Sequence, residues 1–405
     1  MSRITRISRL HYLVLTVAVA AAALLVLGCD HETGIFASLE RETEITNRNL
    51  RDSTSVAGVA RAGDTYFAAL GSVYAVSGPL EGDPTTTWQP LESPGGAEAG
   101  WIALSVAGMG DTLYTAFKDA AGAYQGVYTY TPGADAPWSS DPIDDGKIAQ
   151  LFAFDTDADG AGDTLLGIEE VTGEGVAPQT YQVVFDLTGG SPTVAGPDAD
   201  SPLRLNAVLD AAYSEGDPQA TDDEYWILTQ DTLYIGADPT SLTAQDLTGD
   251  LEGLAEAPPF AAVHADGEDL FVTNRAGVLY RRLAGDSSWT SHEVSGGAPL
   301  GDPVLLPAIG SAERQLYIPA LTNDDNEVGG YFVMTRSGET ASRPDDPSYV
   351  SAELSNAAVT GFQLFSEGNG AYELFARTAD TGLWSRSIVT SPDSDELGLS
   401  TWRWE

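Results

Sequence analysis

One cysteine, Cys29, stands in a chain of 405 residues. No disulfide framework is available, and downstream of it no thiol remains for nucleophilic or redox work. Histidine is almost as scarce: there are four, and beyond His31 only His264 and His292. That argues against a multi-histidine metal centre. Basic residues are few, 19 Lys and Arg against 60 Asp and Glu, for a formal net charge of −41. A chain without a basic face has no footing on a phosphate backbone, which argues against nucleic acid as a partner. No arginine occurs between Arg61 and Arg204. Helical periodicity is nearly missing too, and the runs near Leu254 and Ala357 are too short to define helices.

What is present fits a large folded β protein. Hydrophobic residues make up 42% of the chain, enough for a substantial core, so disorder is not the reading. The acid-rich, lysine-poor composition suits salty or alkaline surroundings, where carboxylates hold water and mutual repulsion prevents aggregation; a specific cation-binding or basic-partner face is the alternative.

The N-terminus reads as an address. Arg3, Arg6 and Arg9 precede an almost unbroken apolar run from Tyr12 to Gly28. The run is short for a spanning helix and fits a secretory h-region. It ends Leu25-Val26-Leu27-Gly28-Cys29, which resembles a bacterial lipobox, with small Gly28 before the cysteine and Leu27 departing from the usual small residue. The resemblance implies cleavage after Gly28, lipidation of Cys29 and a bacterial cell-envelope location on a membrane, since several acyl chains hold where one is marginal. An uncleaved anchor helix is the alternative. Asp30 resembles the inner-membrane retention signal of enteric bacteria. The expected division is residues 1–28 as signal peptide, 29–55 as lipidated cysteine and linker, and 56–405 as one repeat domain.

That domain repeats a module. Its clearest copy is Gly110-Asp111-Thr112-Leu113-Tyr114, then Gly126-Val127-Tyr128-Thr129-Tyr130, then Trp138. A turn leads into a strand with an apolar doublet, a second strand opens with Gly, and a last strand is often opened by Trp. The doublets end at Phe67, Tyr114, Leu166, Trp226, Phe271, Tyr317 and Phe375, about 50 residues apart on average, the span of four short strands and their turns. The pattern predicts an all-β fold, a β-propeller of seven four-stranded blades, whose ring leaves only short, protected edges. A β-sandwich or two smaller β domains remain the alternative.

Several blade ends resemble a worn Asp-box. Asp83-Pro84-Thr85-Thr86-Thr87-Trp88 keeps the Asp-to-Trp spacing, and Asp135 to Trp138 and Asp286 to Trp289 are shortened versions. The Asp-box is a turn motif of sialidase-like and photosystem assembly-factor-like propellers. It implies architecture, not sialidase activity.

One segment carries sharper chemistry. In Asp155-Thr156-Asp157-Ala158-Asp159-Gly160-Ala161-Gly162-Asp163 carboxylates fall at positions one, three, five and nine, with Gly at six. Ca²⁺ takes six to eight oxygens, and this spacing suits folding alternate side chains around one ion. Leu166 occupies the place of an EF-hand's bidentate Glu. The segment resembles instead the calcium loop of FG-GAP propeller blades, of which this chain carries one copy. The resemblance implies side-chain ligands from Asp155, Asp157, Asp159 and Asp163 and the carbonyl of Ala161, holding a structural calcium. A solvated acidic turn is the alternative.

No convergent catalytic set is legible. Arg204, Arg275, Arg281, Arg282, Arg314 and Arg336 mostly read as surface. Trp101 and Trp384 offer surfaces for sugar stacking, although core packing is the commoner fate of such residues. Paired carboxylates for glycan cleavage are not decided by sequence spacing. The expectation is a membrane-anchored, non-catalytic binding or assembly module with a protein or glycan ligand. An envelope glycan hydrolase or lyase, or a calcium-stabilised adhesin, are the alternatives.

Overall fold

A computed structural model describes residues 50, 55–80, 87–96, 100–154, 164–171, 180–185, 193–194, 205–206, 208–214, 224–229, 232–237, 242–245, 259–286, 288–308, 312–321, 329–345, 349, 354–390 and 397–405. The chain divides into two compact units, Met1–Asn47 and Arg48–Glu405. The first lies outside the described residues, and with it Cys29.

The second unit is the expected ring. Seven antiparallel sheets follow one another along the chain, spanning residues 58–90, 102–130, 148–206, 208–245, 260–293, 304–335 and 359–404. Each is a blade of three to five strands, not uniformly four. Blade 2 has a three-stranded sheet, and its outer edge is made by two isolated bridges, Tyr130↔Trp138 and Val127↔Asp144.

All seven doublets lie in the second strand of their blades: Thr65–Leu70, Thr112–Lys118, Thr164–Val171, Glu224–Thr229, Asp269–Asn274, Gln315–Pro319 and Ala371–Thr378. The reason is alternation. Neighbouring residues of a strand point to opposite faces, and both faces of a blade are covered by other blades. Tyr66 packs into the core shared with blade 7, and Phe67 into the core shared with blade 2. Leu165 and Leu166, Ile227 and Trp226, Leu270 and Phe271, Leu316 and Tyr317, and Leu374 and Phe375 divide in the same way. The described core is accordingly seven clusters, one between each pair of neighbouring blades. The glycine that opens the third strand has φ between +68° and +92° in five blades (Gly71, Gly126, Gly277, Gly330 and Gly382), a region that a Cβ makes costly.

The ring closes where blade 7 meets blade 1. Leu50, assigned to the linker by the sequence reading, is 1% exposed in that seam, and its N–H donates to the Glu405 carbonyl at 3.0 Å. Val56 N–H donates to Thr378 O. Glu405 itself is 0% exposed. Its carboxylate accepts from Trp88 Nε1 of blade 1 at 3.1 Å and from Ser385 Oγ of blade 7 at 2.6 Å.

Candidate functional site

The first strand of each blade carries no doublet, and the sequence module omits it. These strands are rich in alanine and glycine: Gly58–Ala62 reads GVARA and Phe260–Asp266 reads FAAVHAD. Together they wall an axial channel of about 1440 Å³, to which every blade contributes. Small residues suit this position, because the strands converge there and leave little width for side chains.

Five of these strands carry a register shift near their start, which places Ser105, Gln150, Asp210, Ala262 and Gly361 just after it. A shift of this kind frees a residue from the ladder and re-aims the side chains beside it. In two blades the residue after the shift reaches the following blade. Leu151 N–H donates to Ser105 Oγ at 3.1 Å, and Val263 N–H donates to Asp210 Oδ2 at 3.0 Å. In blade 6 the matching place falls to Asp302, which bridges to Gly361 and whose carbonyl accepts from Phe362 N–H. Asp210 and Asp302 therefore stand at one level of the channel, two blades apart.

The two carboxyls have different partners. Asp210 also accepts Ala211 N–H through Oδ1 at 2.9 Å. Asp302 accepts from Arg377 Nη2 at 2.9 Å. Asp302 and Arg377 are 24% and 20% exposed at the side chain. Burial governs the ionisation of both acids. It pushes Asp210 well above the usual carboxylate range, helped by the charge of Asp302 and opposed by the two backbone N–H groups and Arg377. It pushes Asp302 up to about 6 against the pull of Arg377. Nearby, burial lowers His264 to about 4, with Asp266 opposing and Arg314 assisting. Leu305 N–H donates to His264 Nε2 at 3.4 Å, so neutral His264 carries its proton on Nδ1. Arg314 grips Asp266 with both terminal nitrogens, at 2.6 and 2.7 Å.

Arg275 is exposed, as the sequence reading expected, but Arg281, Arg282, Arg314 and Arg336 are staples between blades. Arg281 is buried, and its Nη1 donates to the carbonyls of Arg336 and Gly338 in blade 6. Arg336 pairs with buried Asp269 of blade 5. Arg282 lies over Trp226 at 4.9 Å and Trp289 at 5.7 Å. Trp384 is core, stacked on Trp404 at 5.0 Å, whereas Trp101 is only half-buried. Arg204 lies outside the described residues, as do Asp155, Asp157, Asp159, Ala161 and Asp163 of the calcium segment. The strands flanking that segment, Ile148–Phe154 and Thr164–Val171, pair as a hairpin with Phe154 opposite Thr164. Among the described residues no group of three or more His, Cys, Asp or Glu is placed to hold a metal ion, and no helix is long and apolar enough to cross a membrane.

A pH dependence follows from the channel acids. A free Asp titrates near about 3.9, whereas folded Asp302 holds its proton up to about 6. Its contribution to stability is therefore complete below about pH 4 and is lost as pH rises through about 6. His264 has the opposite sign: its neutral form is favoured by folding, and its contribution is lost as pH falls toward 4. Comparing wild type with Asp302→Asn cancels the histidine. The variant should gain about 1–2 kcal/mol on wild type between pH 4 and 7, after discounting for the partial exposure of Asp302. Melting curves at both pH values, with a constant difference between the proteins, would refute this.

No protein-family model and no curated protein sequence matches the chain. Solved structures do resemble it. A YCF48 protein bound to a D1 peptide is 10% identical, with a TM-score of 0.54, covering 84% of this chain and 94% of that one. An ancestral GH74 enzyme is 12% identical, with a TM-score of 0.55, covering 87% of this chain and 46% of that one. The GH74 enzyme of Niastella koreensis is 16% identical, with a TM-score of 0.50, covering 85% and 44%. At these identities the likeness is one of fold, and the fold it identifies is the β-propeller.

Proposed function

We propose that this chain is an exported lipoprotein, held on a membrane of the bacterial cell envelope through Cys29, whose propeller serves as a non-catalytic binding or assembly module. One observation carries the non-catalytic part. The two channel acids of raised pKa are committed to its wall: both oxygens of Asp210 accept backbone N–H groups, one of them from the next blade, and Asp302 is paired with Arg377. A general acid or base needs such oxygens turned toward a substrate. Propellers resembling this one include a peptide-bound protein and GH74 enzymes, so the site and not the ring must choose. The raised pKa of Asp210 and Asp302 is what favours the second reading, an envelope glycan hydrolase, because such enzymes use a carboxyl pair with one member kept protonated.

Fractionation of cells expressing wild type and Cys29→Ser tests the anchor. Wild type is expected in the detergent-soluble membrane fraction and the variant outside it; equal partition refutes the anchor. Protease shaving of intact cells beside a periplasmic control then separates surface from periplasmic placement. Release of reducing ends from envelope polysaccharide, lost in Asp302→Asn, would replace the binding reading with the hydrolase.

We propose also that Asp155, Asp157, Asp159, Asp163 and the Ala161 carbonyl hold a structural calcium at the hairpin of blade 3. The alternating oxygen donors and their place between two paired strands support this. Ca²⁺ should raise the melting temperature of residues 30–405 relative to chelator, and Asp157→Ala should remove the gain; a melt indifferent to Ca²⁺ would sink the proposal.

A further inference from the structure

We propose that a pocket between blades 1 and 2 binds a neutral pyranose ring, a site separate from the channel. The pocket holds about 340 Å³, near the lower end of small-molecule sites, which run from about 300 to 1,000 Å³. Its walls include Trp101, Trp138, Phe117, Leu91, Glu92 and Ser93.

Both tryptophans depart from the pattern of the ring. Trp88, Trp289 and Trp402 also open the outermost strand of their blades, and all three are shut inside the core. Trp138 holds the same place but is only half-buried, because isolated bridges replace the outer strand of blade 2. Trp101 immediately precedes the first strand of its blade. Ala57, Lys147, Pro259, Pro303 and Ala358 hold that position elsewhere, so no other blade with a described residue there has an aromatic. The two indoles flank one phenyl ring, Phe117, at centroid distances of 5.8 and 5.5 Å.

The polar atoms fit a polyol. Trp138 Nε1 donates to the Glu92 carbonyl at 2.6 Å, so what this indole offers a ligand is ring surface. Ser93 Oγ spends its proton on Gly96 O at 3.1 Å, which leaves its lone pairs as acceptors. The exposed Glu92 adds a negative charge at the rim. Apolar aromatic walls beside hydroxyl acceptors match a pyranose, with its C–H faces and its girdle of O–H donors. A purely aliphatic ligand would strip water from the polar atoms without replacing it. Phosphorylated or acidic sugars meet Glu92 and a chain of net charge −41. The inference goes beyond the proposed function and is independent of Cys29: it can fail with the anchor intact, and the reverse.

The test is calorimetric titration of the full chain in detergent with cellotriose, maltotriose, mannotriose and chitotriose, and with choline and glucuronate for contrast. At least one neutral trisaccharide should bind in the millimolar range or tighter. Trp101→Ala and Trp138→Phe should each weaken it about tenfold, the scale of a lost aromatic anchor, while Trp404→Phe in blade 7 should not. Melting curves accompany each variant. If Trp101→Ala fails to fold, Trp138→Phe, which keeps an aromatic ring, decides. No neutral trisaccharide binding, binding indifferent to both pocket variants, or binding of choline or glucuronate alone would overturn the proposal.

Discussion

Gly108→Ala should destabilise the ring by about 3 kcal/mol or more, the range of severe overpacking against an unyielding neighbour. A Cβ at this position would lie 1.8 Å from the carbonyl oxygen of Arg61 and 2.7 Å from its carbonyl carbon. The obstacle is backbone in the first strand of blade 1, so no rotamer change relieves it. Gly301 repeats the arrangement between blades 6 and 7, where a Cβ would meet Thr360 O at 2.1 Å. For a ring of this size the change corresponds to a fall of about 4 °C in melting temperature. Gly398→Ala is the control: its nearest neighbour would be Val389 O at 3.3 Å, in an exposed edge strand. A Gly108→Ala melt within a degree of that control would show that the first strands can separate, and that the channel is less rigid than its packing implies.

Glu405→Ala is expected to weaken the seam by about 2–4 kcal/mol, since it leaves a buried indole N–H and a buried hydroxyl without their acceptor. The side chain joins Trp88 of blade 1 to Ser385 of blade 7. Around it, blade 7 carries a buried polar network in which Glu373 accepts from Arg403 at 2.5 Å and from Ser387 Oγ at 2.8 Å. Glu405→Gln keeps one acceptor and should recover roughly half of the loss. Because the defect lies at closure, its mark is a lower denaturant midpoint together with faster hydrogen exchange in blades 1 and 7. Exchange that rises equally in blades 3 and 4 would instead indicate global loosening, and an unchanged midpoint would remove the seam from the account of stability.

The architecture was legible because its signal is local and repeated. Tyr66-Phe67 and Leu374-Phe375 announce a strand buried on both faces, and seven such doublets at blade spacing announce a ring. The turn glycines and the tryptophans of the outermost strands are equally local. The first strands were not legible as a class. Alanine-rich segments such as 58–62 and 260–266 present weak alternation, since one side of each strand faces a narrow channel rather than a deep core. Two of the arginines were misread for a related reason: Arg281 and Arg336 look like surface residues until the packing of blade 5 against blade 6 brings their acceptors to them.

By itself the sequence determined the all-β ring, its seven modules and the spacing of the acidic segment. Each depends on residues near one another in the chain, where periodicity and turn chemistry act directly. Only the tertiary structure decided that Asp210 and Asp302 share a level of the channel, that Glu405 closes the seam, and that Trp101 and Trp138 stay half-open while Trp88, Trp289 and Trp402 are enclosed. In a chain with 60 acidic residues, no spacing marks the two whose charges meet. Their meeting is set by how many blades close the circle and by the register shift that turns each first strand toward its neighbour.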